Sequence, residues 1–307
     1  MSLLNSQRPA IDRRRHLLAG QVSELTVINA DGTGRQVIFE AGELIEAPNW
    51  TPDGKWLVFN ADGRLYKISP DGKEGPIRIN TAPIEDLNND HVLSPDGKTA
   101  YLSSRDRHLY AVPLEGGTPK RVSPAQAHQR QYIYYLHGVS PDGETLAYVG
   151  YEKSAEGQVV TTICTMPAAG GPIRELTDAK CFVDGPEFST DGKWIYFNSE
   201  AAATQPGHAQ IFRMRPDGSG MEQMTHDERV NWFPHFSPDG SMVAYISFPA
   251  GTIGHPADKH VFIRIMDPEG RNKRDIDGFM GGQGTINVNS WAPDSKRLAY
   301  VTYPVLG

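Results

Sequence analysis

A four-residue turn signature, Ser/Thr-Pro-Asp-Gly or a close variant, followed two or three residues later by an alternating apolar run, recurs six times along this chain. The copies are Thr51-Pro-Asp-Gly54, Ser94-Pro-Asp-Gly97, Ser140-Pro-Asp-Gly143, Ser189-Thr-Asp-Gly192, Ser237-Pro-Asp-Gly240 and Ala292-Pro-Asp-Ser295. Their aspartates stand 43, 46, 49, 48 and 55 residues apart. A self-similar period of this length marks a solenoid, a propeller or an array. Proline presets φ for the first turn position, and Asp-Gly supplies the local hydrogen bond and the positive φ of a tight hairpin. Each copy therefore predicts a β-hairpin corner.

A second kind of hairpin alternates with the first. It begins at Leu25–Ile28 with the turn Ala30-Asp-Gly-Thr-Gly34, and recurs around Pro70-Asp-Gly72, Glu115-Gly-Gly117, Ala169-Gly-Gly171, Pro216-Asp-Gly218 and Pro268-Glu-Gly270. With the strands around Pro-Asp-Gly called A and B and those of the second hairpin C and D, each A-B-C-D set is a four-stranded antiparallel blade. The chain opens with a lone C-D hairpin and ends with a lone A-B hairpin, Val288 to Trp291 and Arg297 to Tyr303. Joining them completes a sixth blade and removes the sheet edge an open array would expose. The expected fold is all-β, a closed six-bladed β-propeller over residues 21–307 as one domain, preceded by a lead-in over residues 1–20.

Counting strand directions puts every tight glycine turn on one face, here the lower. The upper face takes the long B-C loops, such as Gly150 to Thr162, Asn198 to Gln210 and Ser247 to His260, and the D-A links. A rigid scaffold that positions loops this way places a site among them.

Composition narrows the partners. The net charge of −7 and the absence of a long basic cluster argue against nucleic acid. The one basic run, Arg13-Arg-Arg-His16, reads as a solvated lead-in. No apolar stretch approaches the ~18 residues that span a bilayer. The chain as written reads as cytoplasmic, or periplasmic if a signal has been removed. Cys164 and Cys181 are expected as free thiols.

These residues resemble the TolB-like six-bladed β-propellers with Pro-Asp-Gly repeats, over about residues 22–303. The likeness to a stand-alone branch is carried by Asn88-Asn-Asp-His91, Tyr135-Leu-His-Gly138, Asp184-Gly-Pro-Glu187, Asn231-Trp-Phe-Pro-His235 and Gly281-Gly-Gln-Gly-Thr-Ile-Asn287. Prolyl-peptidase relatives add a hydrolase domain with a serine nucleophile. This chain has no Gly-x-Ser-x-Gly, which excludes that chemistry.

Strand A is expected innermost, so polar residues at its upper end open into a central funnel. The candidate ligand-binding residues are Glu46, Asn49, Asn89, Asp90, Arg105, Asp184, Asn231, Trp232, Gln283 and Asn287. Trp232, Phe233, Tyr132, Tyr134 and Tyr135 offer an aromatic rim, Arg105 and Arg107 cations for an acidic ligand, and Lys153, Lys180 and Lys259 amines. His91, His137, His235 and Glu187 are donor types suited to a divalent ion such as Mn, Zn or Ca. Oligogalacturonate lyases, which resemble this family, hold such an ion at the axis with histidines. His91 and His137 stand three residues before their Ser but His235 two before, an offset that period-two alternation puts on opposite faces unless a bulge intervenes. Two functions follow. One is a non-enzymatic binding propeller that takes a peptide, protein or glycan in the upper funnel. The other is a metal-dependent lyase or hydrolase acting on a glycan. The first is preferred because no set of nucleophile, base and oxyanion donors assembles.

Overall fold

The structure is a computed structural model and describes residues 15–124, 132–153 and 157–306. Most of the predicted lead-in, residues 1–14, lies outside them. The chain opens with β1 (Ser23–Asn29) and β2 (Gln36–Ala41). Five complete antiparallel sheets follow. They are β3 (Ile45–Trp50) to β6 (Ile77–Ile79), β7 (Leu87–Leu93) to β10 (Lys120–Arg121), β11 (Ile133–Val139) to β14 (Arg174–Glu175), β15 (Val183–Phe188) to β18 (Glu222–Gln223), and β19 (Val230–Phe236) to β22 (Arg274–Gly281). The last strand, β23 (Arg297–Thr302), returns to pair antiparallel with β1, giving a sixth sheet ordered β2-β1-β23. The molecule is a six-bladed propeller closed by its own ends.

The turn signature works as a hydrogen-bonded unit. In the second copy the Ser94 hydroxyl donates to Asp96 Oδ1 (2.6 Å) and accepts from the Thr99 N–H (2.9 Å), while the Lys98 N–H donates to the same Asp96 oxygen (3.0 Å). Gly97 supplies φ 69°. The same bonds recur at Thr51, Ser140, Ser189 and Ser237. Around the lower rim each turn leans on its predecessor: Gly54 on Pro293, Gly97 on Pro52, Gly143 on Pro95 and Gly192 on Pro141. The sixth copy lacks the hydroxyl, and Ser295 takes the glycine position at φ 58°; its Oγ accepts from the Asp239 N–H (3.0 Å), so the ring closes there too.

Period-two alternation is nearly absent from the inner strands, which are buried along both faces because each blade packs on two neighbours. The core consequently lies between blades. Ala147, Val149 and Ile163 of the third blade share one cluster with Phe197 and Phe212 of the fourth, and Leu298 and Tyr300 of the closing sheet share another with Trp232 and Ile263 of the fifth. Burying each such large side chain contributes about 1.5–3 kcal/mol, so closure is driven by the same packing as any other blade contact.

One expected strand is not formed. Val288 to Trp291 does not make a regular strand A; it meets β23 through a single bridge, Trp291 to Leu298. The backbone there bonds locally instead: the Gly284 N–H donates to Asn287 Oδ1 (2.9 Å), the Gly282 N–H to Thr285 Oγ1 (3.0 Å) and the Trp291 N–H to Asn289 Oδ1 (3.0 Å). Positive φ at Gly282 (117°) and Gly284 (87°) makes the compact loop accessible. The B-C connection of the third blade is also shorter than expected, because β12 (Thr145–Lys153) and β13 (Val159–Pro167) continue into it.

Candidate functional site

Each of the five inner strands breaks register near its middle: between Glu46 and Asn49, Leu87 and His91, Leu136 and Gly138, Asp184 and Glu187, and Trp232 and His235. Ala47, Gly185 and Phe233 take positive φ at these breaks, at 53°, 60° and 54°. A bulge turns the strand, and here it divides the axis into two spaces. Residues before the break line an upper cavity of about 280 Å³; residues after it face a lower one of about 400 Å³ among the Pro-Asp-Gly turns. His137 lies within its break and lines both.

Of the ten funnel candidates, Glu46, Asn89, Asp90, Arg105, Asp184, Trp232, Gln283 and Asn287 line the upper cavity. Asn49 lies beyond its bulge and lines the lower one. Asn231 is fully buried between strands, donating to Asp227 Oδ1 (3.0 Å) and accepting from Ser247 Oγ (2.7 Å), so its role is to satisfy its neighbours. Trp232, Phe233, Tyr135 and Tyr151 line the cavity, whereas Tyr134 packs against Tyr132 and Tyr148 inside the third blade. Lys153, Lys180 and Lys259 are outside the lining, and Lys180 pairs with Asp178.

The four metal candidates do not gather. His235 pairs through Nδ1 with Glu187 Oε2 (2.6 Å) and through Nε2 with the Ile286 carbonyl (2.9 Å). Glu187 Oε1 accepts from the Phe236 N–H (2.8 Å) and Asn289 Nδ2 (2.7 Å). This carboxylate and imidazole clamp together blades four, five and six. His91 bonds the Asn89 carbonyl through Nδ1 (3.1 Å) and lines neither cavity, and His137 belongs to a different group. Among the described residues no three His, Cys, Asp or Glu side chains are arranged to hold a metal ion.

The floor of the upper cavity is built on Asp184. Its Oδ1 meets His137 Nε2 at 3.2 Å and its Oδ2 lies 3.7 Å from His255 Nε2. His137 also stacks on Phe233, with ring centroids 5.5 Å apart. Burial works against a charge on His137, but Asp90 and Asp184 outweigh it and hold the ring up to about 9. Burial raises Asp90 to about 6, with the neighbouring Asp184 charge adding to it and His137 opposing. Burial likewise raises Glu46 to about 7, opposed by Arg15 and Arg105. Burial lowers His255, against the pull of Asp184. Asp184 is held below the usual carboxylate range because the His137 bond and charge overcome its burial.

Among the lining residues that escaped the sequence reading are His255 and Arg15. His255 comes from a B-C loop that no repeat copies, so nothing in the pattern marks it. Arg15 belongs to the basic run read as solvated, yet its side chain is 10% exposed; it pairs with Asp258 (3.1 Å) and lies 3.8 Å over the Tyr303 ring. The reason is chemical: a guanidinium stacks on aromatics and pairs with carboxylates where a free chain end would leave it in water.

Comparison with known proteins agrees with this architecture. A model of the TolB beta propeller domain matches residues 138–258. An uncharacterised protein of Agrobacterium fabrum is 37% identical over 285 residues, 92% of each chain. A solved TolB-type structure from Agrobacterium tumefaciens superposes with a TM-score of 0.84 at 36% identity, covering 93% of this chain and 99% of that one. The Tol-Pal system protein TolB of Francisella tularensis is 22% identical over 282 residues, and the chain spans 60% of its length. An oligogalacturonate lyase in complex with manganese shares the fold, at 16% identity and a TM-score of 0.54 over 84% of this chain and 74% of that one. At 37% identity over 92% of its length to one relative and with a TolB-type structure matching 93% of it, the chain belongs to the TolB-like β-propeller family.

Proposed function

We propose that the protein is a non-enzymatic binding propeller whose upper cavity takes part of a peptide, protein or glycan. The observation that carries this reading is a set of buried polar atoms in the cavity wall that the fold leaves unsatisfied: Asp90 Oδ1 and Trp232 Nε1 have no hydrogen-bond partner among the described residues. A ligand entering the cavity would offer these groups partners. Aromatic walls beside a few convergent polar groups are the usual composition of a ligand pocket.

An enzymatic reading has less support. Asp184 is engaged with His137 Nε2 (3.2 Å), His255 Nδ1 bonds Gln283 Oε1, and Thr161 Oγ1 accepts from the Val183 N–H (2.9 Å), so these side chains hold the cavity wall together. A manganese, zinc or calcium ion does not fit the expected donor set, since His235 and Glu187 are spent on each other and His91 lies elsewhere.

Ala257→Trp tests the binding reading by filling the cavity mouth from a partly exposed loop position. In a thermal-shift screen of short peptides and oligosaccharides, compounds that raise the unfolding midpoint of the wild type are expected to leave the variant unmoved. Equal shifts in both proteins, or conversion of a bound compound to product, would overturn the reading.

A further inference from the structure

We propose that the upper cavity recognises an α-carboxylate carried next to an apolar side chain, the chemistry of a free peptide C-terminus or of a free apolar amino acid. This rests on the binding reading above and names the ligand's class.

The first support is Arg107. It ends the turn after β8 (Thr99–Ser104), with its N–H donating to the Ser104 carbonyl (2.9 Å), and it lines the cavity. Its φ is 74°, a region that suits glycine and strains an arginine. Among the described residues its guanidinium has no hydrogen bond or ion pair, while Arg15, Arg35, Arg64, Arg213 and Arg264 are all paired. A long cation kept at a strained position and turned toward a cavity without a partner is suited to an incoming anion. Arg105, two residues earlier, lines the same wall and is ion-paired with Asp86 at 3.5 Å. Two guanidinium forks from one short turn match the two oxygens of a carboxylate.

The second support is the opposite wall. Blades three to five contribute Tyr135, Tyr151, Phe182 and Trp232, a surface for an aromatic or aliphatic side chain. The third is the floor: Asp90, 4% exposed with Oδ1 unpartnered, offers an acceptor for a ligand N–H. Carboxylate, apolar group and N–H are the three features of a chain-terminal residue. A cavity of about 280 Å³ admits a residue or two, and a mid-chain segment of the same side chains would bring no charge to Arg107.

The test titrates the full chain with three probes: a pool of tetrapeptides ending in Phe, Tyr, Leu or Ile as free acids, the same pool as C-terminal amides, and free phenylalanine. Binding is read by tryptophan fluorescence and by the unfolding midpoint. The acids are expected to bind about tenfold or more tightly than the amides, the discrimination of a charge-assisted pair. Arg107→Gln should abolish that difference, and so should Arg107→Gly, which relieves the strained φ and keeps the fold intact. Phenylalanine binding as tightly as the acids assigns the ligand to a free amino acid; weaker binding assigns it to a peptide end. Equal affinity for acids and amides, lost together in Ala257→Trp, overturns the carboxylate proposal and leaves the binding reading standing. Silence from every probe at millimolar concentration overturns the proposal, and the binding reading falls with it only if the oligosaccharides of the thermal-shift screen are silent too.

Discussion

Replacing Glu46 by glutamine should make the protein's stability less dependent on pH. Glu46 is raised from 4.5 to about 7, chiefly by burial, with Asp90 adding to the shift and Arg15 opposing it. A folded-state value above the unfolded one means that the native state holds the proton more tightly. The stability this contributes is complete below about pH 4.5 and is lost as pH rises through about 7. The full loss is about 3 kcal/mol at 1.36 kcal/mol per unit, and most of it falls between about pH 5 and pH 8. Glutamine has the same shape, keeps the oxygen that accepts from Asn89 Nδ2 (3.4 Å) and cannot ionise. In urea titrations the variant should match the wild type near pH 5 and exceed it by about 2 kcal/mol near pH 8. Asp90, raised to about 6, and His137, raised to about 9, have the same sign. The Glu46→Gln curve should therefore still fall with pH, but without the step near 7. A constant offset between the two proteins at every pH would refute the argument, because it would mean that Glu46 ionises in the folded state as it does in the unfolded chain.

Other substitutions read other parts of the fold. Ser94→Ala removes a donor to Asp96 and an acceptor for the Thr99 N–H, and should lower unfolding free energy by about 1–2 kcal/mol in urea, with the secondary structure unchanged by circular dichroism. Gly72→Ala should cost more than about 2 kcal/mol, because φ is +72° and a Cβ there falls 2.1 Å from the Ile38 carbonyl oxygen of the preceding hairpin. Gly157→Ala, at φ +77° with open space around it, should cost about 1 kcal/mol, so equal losses at the two sites would deny that the C-D turns pack blade on blade. His235→Ala leaves Glu187 buried without its imidazole and should cost about 3–5 kcal/mol. A stable His235→Ala protein would mean that the clamp between blades four, five and six contributes little. Arg107→Gly should raise the unfolding free energy by about 1 kcal/mol by relieving positive φ, and an unchanged midpoint would remove the strain argument for that residue.

The parts of this molecule that were legible in its sequence are those fixed by local chemistry. Ser94, Asp96 and Gly97 specify one turn through bonds spanning five residues, and five such turns with a sixth variant copy determine the blades. The lone hairpins at the two ends then leave one way to close, and β1 pairs with β23 accordingly. The bulges were not legible, because a one- or two-residue slip is a backbone event with no required residue type: Gly185 occupies one, but Ala47 and Phe233 adopt positive φ at two others. Counted back from the turn, His91 and His137 stand three residues before their Ser and His235 two, but what decides their surroundings is where each stands relative to its break. Glu46, Asp184 and Trp232 precede theirs and face the upper cavity; Asn49, Glu187 and His235 follow and face the lower axis or the blade-to-blade clamp. His137 falls inside its break and touches both spaces, joining Asp184 to the Asn287 carbonyl of the closing loop. The same polar residue types therefore line the cavity above the waist and hold the blades together at it. Substituting Glu187 or His235, which follow their breaks, should lower stability and leave ligand binding near wild type, whereas substituting His137 should change both.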